Sequence, residues 1–216
     1  MARLPLFGKD ADYQAFNRVL VEALAQHPTP LLAYCVMPNH WHLVLWPTRD
    51  GELTAFVRWL THTHTMRWHT HYHTGGSGHL YPGRFKAFPI EQDDHLYAVL
   101  RYVERNALRA NLVGRAEDWR WSSLWRRVRD DRGPDVMLSP WPVPLPGDWL
   151  EQVNQPQTEQ ELAALRRAVA RGCPYGSPPW QNRVAQELRL EYTLRPLGRP
   201  KKATAAAPEE EGGLFE

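Results

Sequence analysis

The sequence contains very little cysteine and no marked excess of one charge. Only two of its 216 residues are cysteine, Cys35 and Cys173, and they lie far apart. This pattern excludes a disulfide framework and a CxxC metal site, and it favours a reducing, cytoplasmic setting. With 26 Lys and Arg against 24 Asp and Glu, the formal net charge is +2. Any nucleic-acid surface must therefore be local.

Long hydrophobic runs are also missing. No stretch approaches the ~18 apolar residues of a membrane span, and the N-terminus lacks a basic-then-apolar leader pattern. We therefore expect a soluble protein with no membrane partner. The hydrophobic fraction of 43% and the ten tryptophans are sufficient for the core of one domain with an extension.

Apolar spacing along the chain predicts both helices and strands, which favours the α+β class. The predicted elements are a helix ending near Leu24, a strand over 31–46 broken at Pro38, a helix over 53–68, a strand over 80–90, a long helix over 92–112 and two short helices over 159–171 and 182–190. The predicted regions are a main domain (1–130), a Pro-rich linker (131–158), a small helical extension (159–194) and a basic, then acidic, disordered tail (195–216).

The most informative short motif is His40-Trp41-His42 in a strand-forming run. Because side chains alternate along a strand, His40 and His42 fall on one face and Trp41 on the other. Two imidazoles on one face can hold a divalent metal or bind a phosphate. The motif alone is weak evidence, since histidine is common both at surfaces and in cores.

A tyrosine and an asparagine lie one turn apart on the long predicted helix. Tyr102 and Asn106 are about 40° apart around the axis and so share a face. That face is not the apolar stripe, so the pair could present a nucleophile and an oxygen ligand to one metal. The alternative is a tyrosine at the rim of the core and an exposed asparagine.

Several basic residues form candidate phosphate contacts. Arg84 and Lys86 would share a strand face, and Arg101, Arg105 and Arg109 recur every four residues as a ridge beside the tyrosine. Solvated basic faces are the alternative. The tail carries Gly198-Arg199-Pro200-Lys201-Lys202, a partial match to an AT-hook core, although a generic basic tail is the favoured interpretation. The predicted DNA-binding residues are Arg67, Arg84, Lys86, Arg101, Arg105, Arg109, Arg199, Lys201 and Lys202.

A histidine-rich segment over 62–73 raises the possibility of a zinc site. Its five histidines lack accompanying cysteines, and their spacing fits neither one helix face nor a finger pattern. Hydrogen bonding or phosphate contact is the favoured use of these residues.

Four motifs in order resemble a known family. They are Met37-Pro38-Asn39-His40-Trp41-His42-Leu43, Gly83-Arg84-Phe85-Lys86, the run from Arg101 to Val113, and Trp121-Ser122-Ser123. Together they resemble the REP-associated tyrosine transposases, which are relatives of the single-tyrosine HUH (IS200-like) transposases. The resemblance covers about residues 5–130, and the C-terminal helical and basic extension is similar to that of many members.

The resemblance implies a ferredoxin-like (RRM-like) antiparallel sheet with packed helices and the HUH motif on a central strand. His40, His42 and Asn106 would bind Mg²⁺ or Mn²⁺, and Tyr102 would be the nucleophile. The implied substrate is single-stranded DNA with a REP-like hairpin, cut and joined through a 5′-phosphotyrosine intermediate. A monomer is preferred, although a dimer is compatible.

The sequence departs from the family pattern in two places. Relatives usually carry a further strand before the Leu6-Phe7 segment; either that strand is absent here or a misplaced start codon has left it out. In addition, Asn106-Ala107 stands where Asn-Pro is usual. An active transposase is the first hypothesis, and the intact set of His40, His42, Tyr102 and Asn106 favours it. A catalytically inactive hairpin-binding protein is the alternative, which a missing strand favours.

Overall fold

A computed structural model of the protein describes residues 6–75, 78–81, 83–129 and 138–195. Within these ranges the chain is α+β, with nine α-helices and one two-stranded sheet. The elements are α1 Asp10–Gln26, β1 Leu31–Met37, β2 His40–Leu45, α2 Glu52–Tyr72, α3 Asp94–Glu104, α4 Asn106–Arg109, α5 Ser123–Arg129, α6 Trp149–Asn154, α7 Glu159–Arg171, α8 Pro178–Glu187 and α9 Glu191–Leu194. No helix in the described ranges is long and apolar enough to cross a bilayer.

The sheet is an antiparallel hairpin that turns at the predicted break around Pro38. Its register places Met37 opposite His40 and Cys35 opposite His42. Every residue of β1 is buried, whereas β2 is mostly half-buried. The other edge of β1 has one bridge, Cys35 to Ser122. With two strands in the described residues, neither a ferredoxin-like sheet nor a central position for the histidine motif is confirmed.

The predicted strand over 80–90 is wrong for the described part of that range. Ile90 makes one isolated parallel bridge with Tyr175, and the segment before it has no regular structure. Residues 83–87 are all exposed, and Phe85 retains 43% of its surface. The alternation of basic and aromatic residues therefore has no buried face to stabilise a strand. Arg84 and Lys86 do not share a strand face.

The long predicted helix forms, but it is shorter than expected and is divided at Arg105. The carboxylate of Asp93 accepts a hydrogen bond from the His95 backbone N–H at 2.8 Å, which caps the start of α3. At the division, the Arg105 side chain donates to the carbonyl oxygens of Val153 and Asn154. The helix is thereby tied to α6 at the point where α4 begins.

The sheet separates two buried apolar clusters. One cluster packs α3 against the face of the hairpin that carries Cys35 and Val44, which is also the face of His42. The other packs α1 and α2 against the opposite face, which includes Tyr34 and Trp41. Burial of these apolar surfaces is the main source of stability, and it fixes α3 beside the paired histidines.

The C-terminal part of the described chain packs on α3. Trp149 lies within the predicted linker, yet it is buried at 4% exposure and its indole N–H donates to Glu104 at 2.8 Å. The predicted helices over 159–171 and 182–190 correspond to α7 and α8. The domain boundaries remain a prediction, and the tail cations Arg199, Lys201 and Lys202 lie outside the described residues.

Candidate active site around the paired histidines

Two histidines of β2 and a tyrosine of α3 form a continuous group of rings. The ring centroids of His40 and His42 are 4.9 Å apart, and those of His42 and Tyr102 are 5.9 Å apart. Both pairs meet edge to face. The structure therefore brings together three of the four residues that the sequence patterns singled out as a metal and nucleophile site.

The fourth residue, Asn106, joins this group through Arg109. The Arg109 guanidinium donates from Nη2 to Asn106 Oδ1 at 2.9 Å, and its central carbon lies 4.0 Å from the centroid of the Tyr102 ring. Asn106 is only 3% exposed. The expectation that Tyr102 and Asn106 occupy a face outside the core is therefore wrong for Asn106, which is buried by the packing of α4.

Burial keeps His42 in its neutral form. Desolvation is the largest cause, followed by the charges of His40 and Arg109, and together they lower the pKa of His42 to about 3. At neutral pH its imidazole therefore carries a lone pair, which is the form that binds metals. His40 Nδ1 lies 2.6 Å from Asn39 Oδ1. In the tautomer that donates this bond, Nε2 of His40 carries the lone pair.

The donor set fits a divalent cation in part. His40 and His42 offer imidazole nitrogens from one strand face, and imidazole with an amide oxygen makes a mixed nitrogen and oxygen set. Asn106 Oδ1, however, already accepts a hydrogen bond from the cationic Arg109. One of the three proposed ligand atoms is thus already engaged by a protein cation.

A hydrogen-bonded group behind β2 supports the histidine strand. The Trp41 indole N–H donates to the Tyr81 hydroxyl at 3.1 Å, and His64 Nδ1 lies 2.7 Å from the same oxygen. His64 is buried at 3% exposure. This role of Tyr81 was not anticipated from the sequence; the signal was Trp41, which must face away from the two histidines. His64 is therefore a core residue rather than part of a zinc cluster.

Another group of metal-binding residue types lies at the start of α3. Among the described residues, Glu91, Asp93 and His95 form the one set of three such side chains whose ligand atoms converge, all within 4.8 Å. Asp93 accepts from the His95 backbone, and Glu91 accepts from the backbone N–H of Ser177 at 2.6 Å. These carboxylates already cap α3 and anchor the segment before α8, so the group gives only a weak indication of a metal.

Besides Arg109, three of the predicted DNA-binding arginines have protein partners. Arg101 contacts both carboxylate oxygens of Glu161 at 3.1 Å, and Arg105 donates to backbone carbonyls of α6. Arg67 forms an exposed, bidentate ion pair with the Glu22 carboxylate at 2.7 and 2.8 Å. The ridge expected along the long helix is therefore largely engaged in holding α6 and α7, and Arg109 is its member at the candidate site.

Arg84 and Lys86 are exposed, and Lys86 lies near the candidate site. Lys86 lines a mostly apolar groove of about 590 Å³, which also reaches His42 and Tyr102. The groove lies along β2 and the segment before Ile90. It was not anticipated from the sequence, because its walls come from distant parts of the chain.

The family comparison covers all four residues of this group. The family model described as transposase IS200-like matches residues 2–106, a range that includes His40, His42 and Tyr102 and ends at Asn106. No curated protein and no solved structure matches the chain. The family match agrees with the motif resemblance and implies a DNA-cleaving enzyme whose substrate is DNA. The match over residues 2–106 supports the assignment of the chain to the IS200-like transposase family.

Proposed function

We propose that this protein cuts and joins single-stranded DNA with Tyr102 as the nucleophile. The observation that carries the proposal is the continuous ring group, in which Tyr102 contacts His42 and His42 contacts His40 at centroid distances of 5.9 and 4.9 Å. A phenol beside two imidazoles joins a covalent nucleophile to a metal-binding pair.

In the proposed reaction, Tyr102 Oη forms a bond to phosphorus as the bond from phosphorus to the 3′ oxygen breaks. The phenolic proton is lost to solvent and the departing 3′ oxygen gains a proton, so the products are a 5′-phosphotyrosine and a free 3′-OH. Because the phosphodiester bond is conserved in the adduct, a 3′-OH can attack it and restore a DNA strand without an external energy source.

The residues proposed to hold Mg²⁺ or Mn²⁺ are His40, His42 and Asn106. When bound, such a cation supplies Lewis-acid stabilisation of charge on the phosphate. The chain's own contribution is to keep His42 neutral by burial and to hold the Tyr102 ring between His42 and Arg109.

The proposed substrate is single-stranded DNA that carries a hairpin. Exposed Arg84 and Lys86 would contact the backbone beside the groove, and Arg109 would contact the phosphate next to Tyr102. Arg67 and the tail cations are further candidates for backbone contacts. We propose that the protein acts as a monomer, since the two histidines and the tyrosine of one chain contact one another. We also propose that it acts in the cytoplasm.

The test is a covalent adduct assay with labelled, hairpin-bearing single strands and Mn²⁺, analysed on a denaturing gel. We expect a protein–DNA adduct from the wild type and none from Tyr102→Phe, with strand binding retained. Tyr97→Phe is the matched control because Tyr97 lies on the same helix and donates to the Pro144 carbonyl. Persistence of the adduct in Tyr102→Phe would rule out this nucleophile.

The inactive hairpin-binding protein remains a second candidate because of one specific contact. Arg109 engages Asn106 Oδ1 at 2.9 Å, an arrangement that withholds this proposed ligand from a metal. This candidate predicts wild-type binding to hairpin strands without any adduct at any Mn²⁺ concentration. The same gel, combined with a binding titration, separates the two functions.

A further inference from the structure

We propose that Arg109 and the divalent cation compete for one atom, Asn106 Oδ1, and that a DNA phosphate resolves this competition by drawing Arg109 away. The inference rests on the proposed function, because it takes His40, His42 and Asn106 as the metal ligands. Arg109 is then a positioning residue that couples metal binding to substrate binding.

The competition follows from charge and burial. Arg109 Nη2 donates to Asn106 Oδ1 at 2.9 Å, a hydrogen bond that is strengthened by the guanidinium charge. An amide oxygen has two lone pairs, but a dication bound to it would stand next to the guanidinium. Because Asn106 is only 3% exposed, water screens this repulsion poorly.

Arg109 also fixes which end of the amide faces it. Asn106 Nδ2 and Arg109 Nη1 are both buried without a hydrogen-bond partner in the described part of the chain. Turning the amide over would direct Nδ2 at the guanidinium and place two donors together, so the oxygen stays toward Arg109. The unpaired Nη1 is unfavourable, and a phosphate that accepts from both terminal nitrogens would satisfy it.

The place of the guanidinium provides the link to substrate. It lies 4.0 Å from the centroid of the Tyr102 ring, so a phosphate that approaches the Tyr102 hydroxyl comes within reach of Arg109. When the guanidinium turns to this phosphate, Asn106 Oδ1 is released to the cation. By thermodynamic linkage, DNA and metal then increase each other's affinity by the same factor.

The first test measures Mn²⁺ binding to the full chain without DNA, by isothermal titration calorimetry. Arg109→Met removes the charge and keeps an apolar chain over Tyr102. We expect this variant to bind Mn²⁺ about tenfold more tightly than the wild type, because one charge-assisted hydrogen bond no longer has to be broken. Arg183→Met removes the same charge from an exposed position on α8 and should change nothing. Equal or weaker affinity in Arg109→Met would overturn the proposal.

A double-mutant cycle separates competition from general electrostatics. In an Asn106→Ala background, Arg109→Met should no longer raise the Mn²⁺ affinity, because the contested oxygen is gone. If Arg109→Met raises the Mn²⁺ affinity equally with and without Asn106, the proposal is overturned. Arg109→Gln repeats the cycle with a polar, neutral side chain if the Met variant is poorly folded by circular dichroism.

The DNA arm uses a short oligothymidylate and Tyr102→Phe protein, so that the strand is not cut. We expect the strand to raise Mn²⁺ affinity several-fold when Arg109 is present and not in Arg109→Met. If the strand does not raise the Mn²⁺ affinity of the protein that retains Arg109, the proposed coupling is overturned. If His40→Ala with His42→Ala leaves Mn²⁺ binding unchanged, the proposed metal site itself fails. If Mn²⁺ binding depends on the two histidines but not on Arg109, only this inference is overturned.

Discussion

The buried histidine behind the β2 strand should make the protein sensitive to acid. Burial lowers the pKa of His64 from its ordinary 6.5 to about 4, so the folded protein holds this imidazole neutral. Between these two values the unfolded chain binds the proton more readily. The stability that depends on neutral His64 is therefore fully present above pH 6.5 and is lost progressively as the pH falls toward 4.

The magnitude follows from the two pKa values. At pH 5 the unfolded imidazole is almost fully protonated and the folded one almost fully neutral, which costs about 2 kcal/mol of unfolding free energy relative to pH 8. His64 lies against Phe7 and Phe16, with ring centroids 5.6 and 5.1 Å away. Protonation would place a charge among these rings and disturb the Tyr81 hydroxyl that also binds Trp41.

The assay is urea denaturation at pH 8 and pH 5, followed by tryptophan fluorescence. His64→Gln should be less stable than the wild type at pH 8, because it loses ring packing, yet it should lose about 2 kcal/mol less on moving to pH 5. His62→Gln, at an exposed position on the same helix, should keep the wild-type pH dependence. Equal pH dependence in His64→Gln and the wild type would refute a neutral, buried His64.

Three further predictions concern stability and single-strand binding. Glu104 is fully buried and accepts from Ser123, Trp149 and Arg127, so Glu104→Ala should reduce the unfolding free energy by about 3–5 kcal/mol and Glu104→Gln by less, measured by chemical denaturation. Gly172 has φ +67°, and a backbone oxygen lies 3.2 Å from the position that a Cβ would take. Gly172→Ala should therefore reduce the unfolding free energy by about 1–2 kcal/mol. Gly147→Ala, with open space around it, should lower the melting temperature far less. Arg67→Ala should change stability by less than about 1 kcal/mol, because its ion pair is exposed, and should reduce the salt dependence of single-strand binding; an unchanged salt slope would remove Arg67 from the DNA contacts.

Local rules account for the parts of the fold that the sequence predicted well. Helix α1, the turn at Pro38 and the start of α3 each depend on residues within a few positions, such as Asp93 with the backbone of His95. Helix α7 is capped by Thr158 and Glu161, each of whose side chains accepts a hydrogen bond from the backbone N–H of the other. Such contacts between residues close in the chain can be predicted from the sequence.

The prediction over 80–90 failed because alternation was read without knowing which face could be buried. Phe85 and its basic neighbours are all exposed, so the pattern that suggested a strand has no core behind it. The ridge of arginines was misleading for a related reason. The partner of Arg101 is Glu161, sixty positions along the chain, and no periodicity along one helix indicates such a partner.

The sequence by itself determined the residue types of the candidate site, their order and the face shared by His40 and His42, because strand alternation is a property of the backbone. Only the tertiary structure decided that α3 lies against that face, that Asn106 is buried, and that Arg109 binds Asn106 Oδ1. The physical reason is that burial and the choice of partner for a long charged side chain depend on the packing of elements that are distant in the chain, whereas alternation and capping do not.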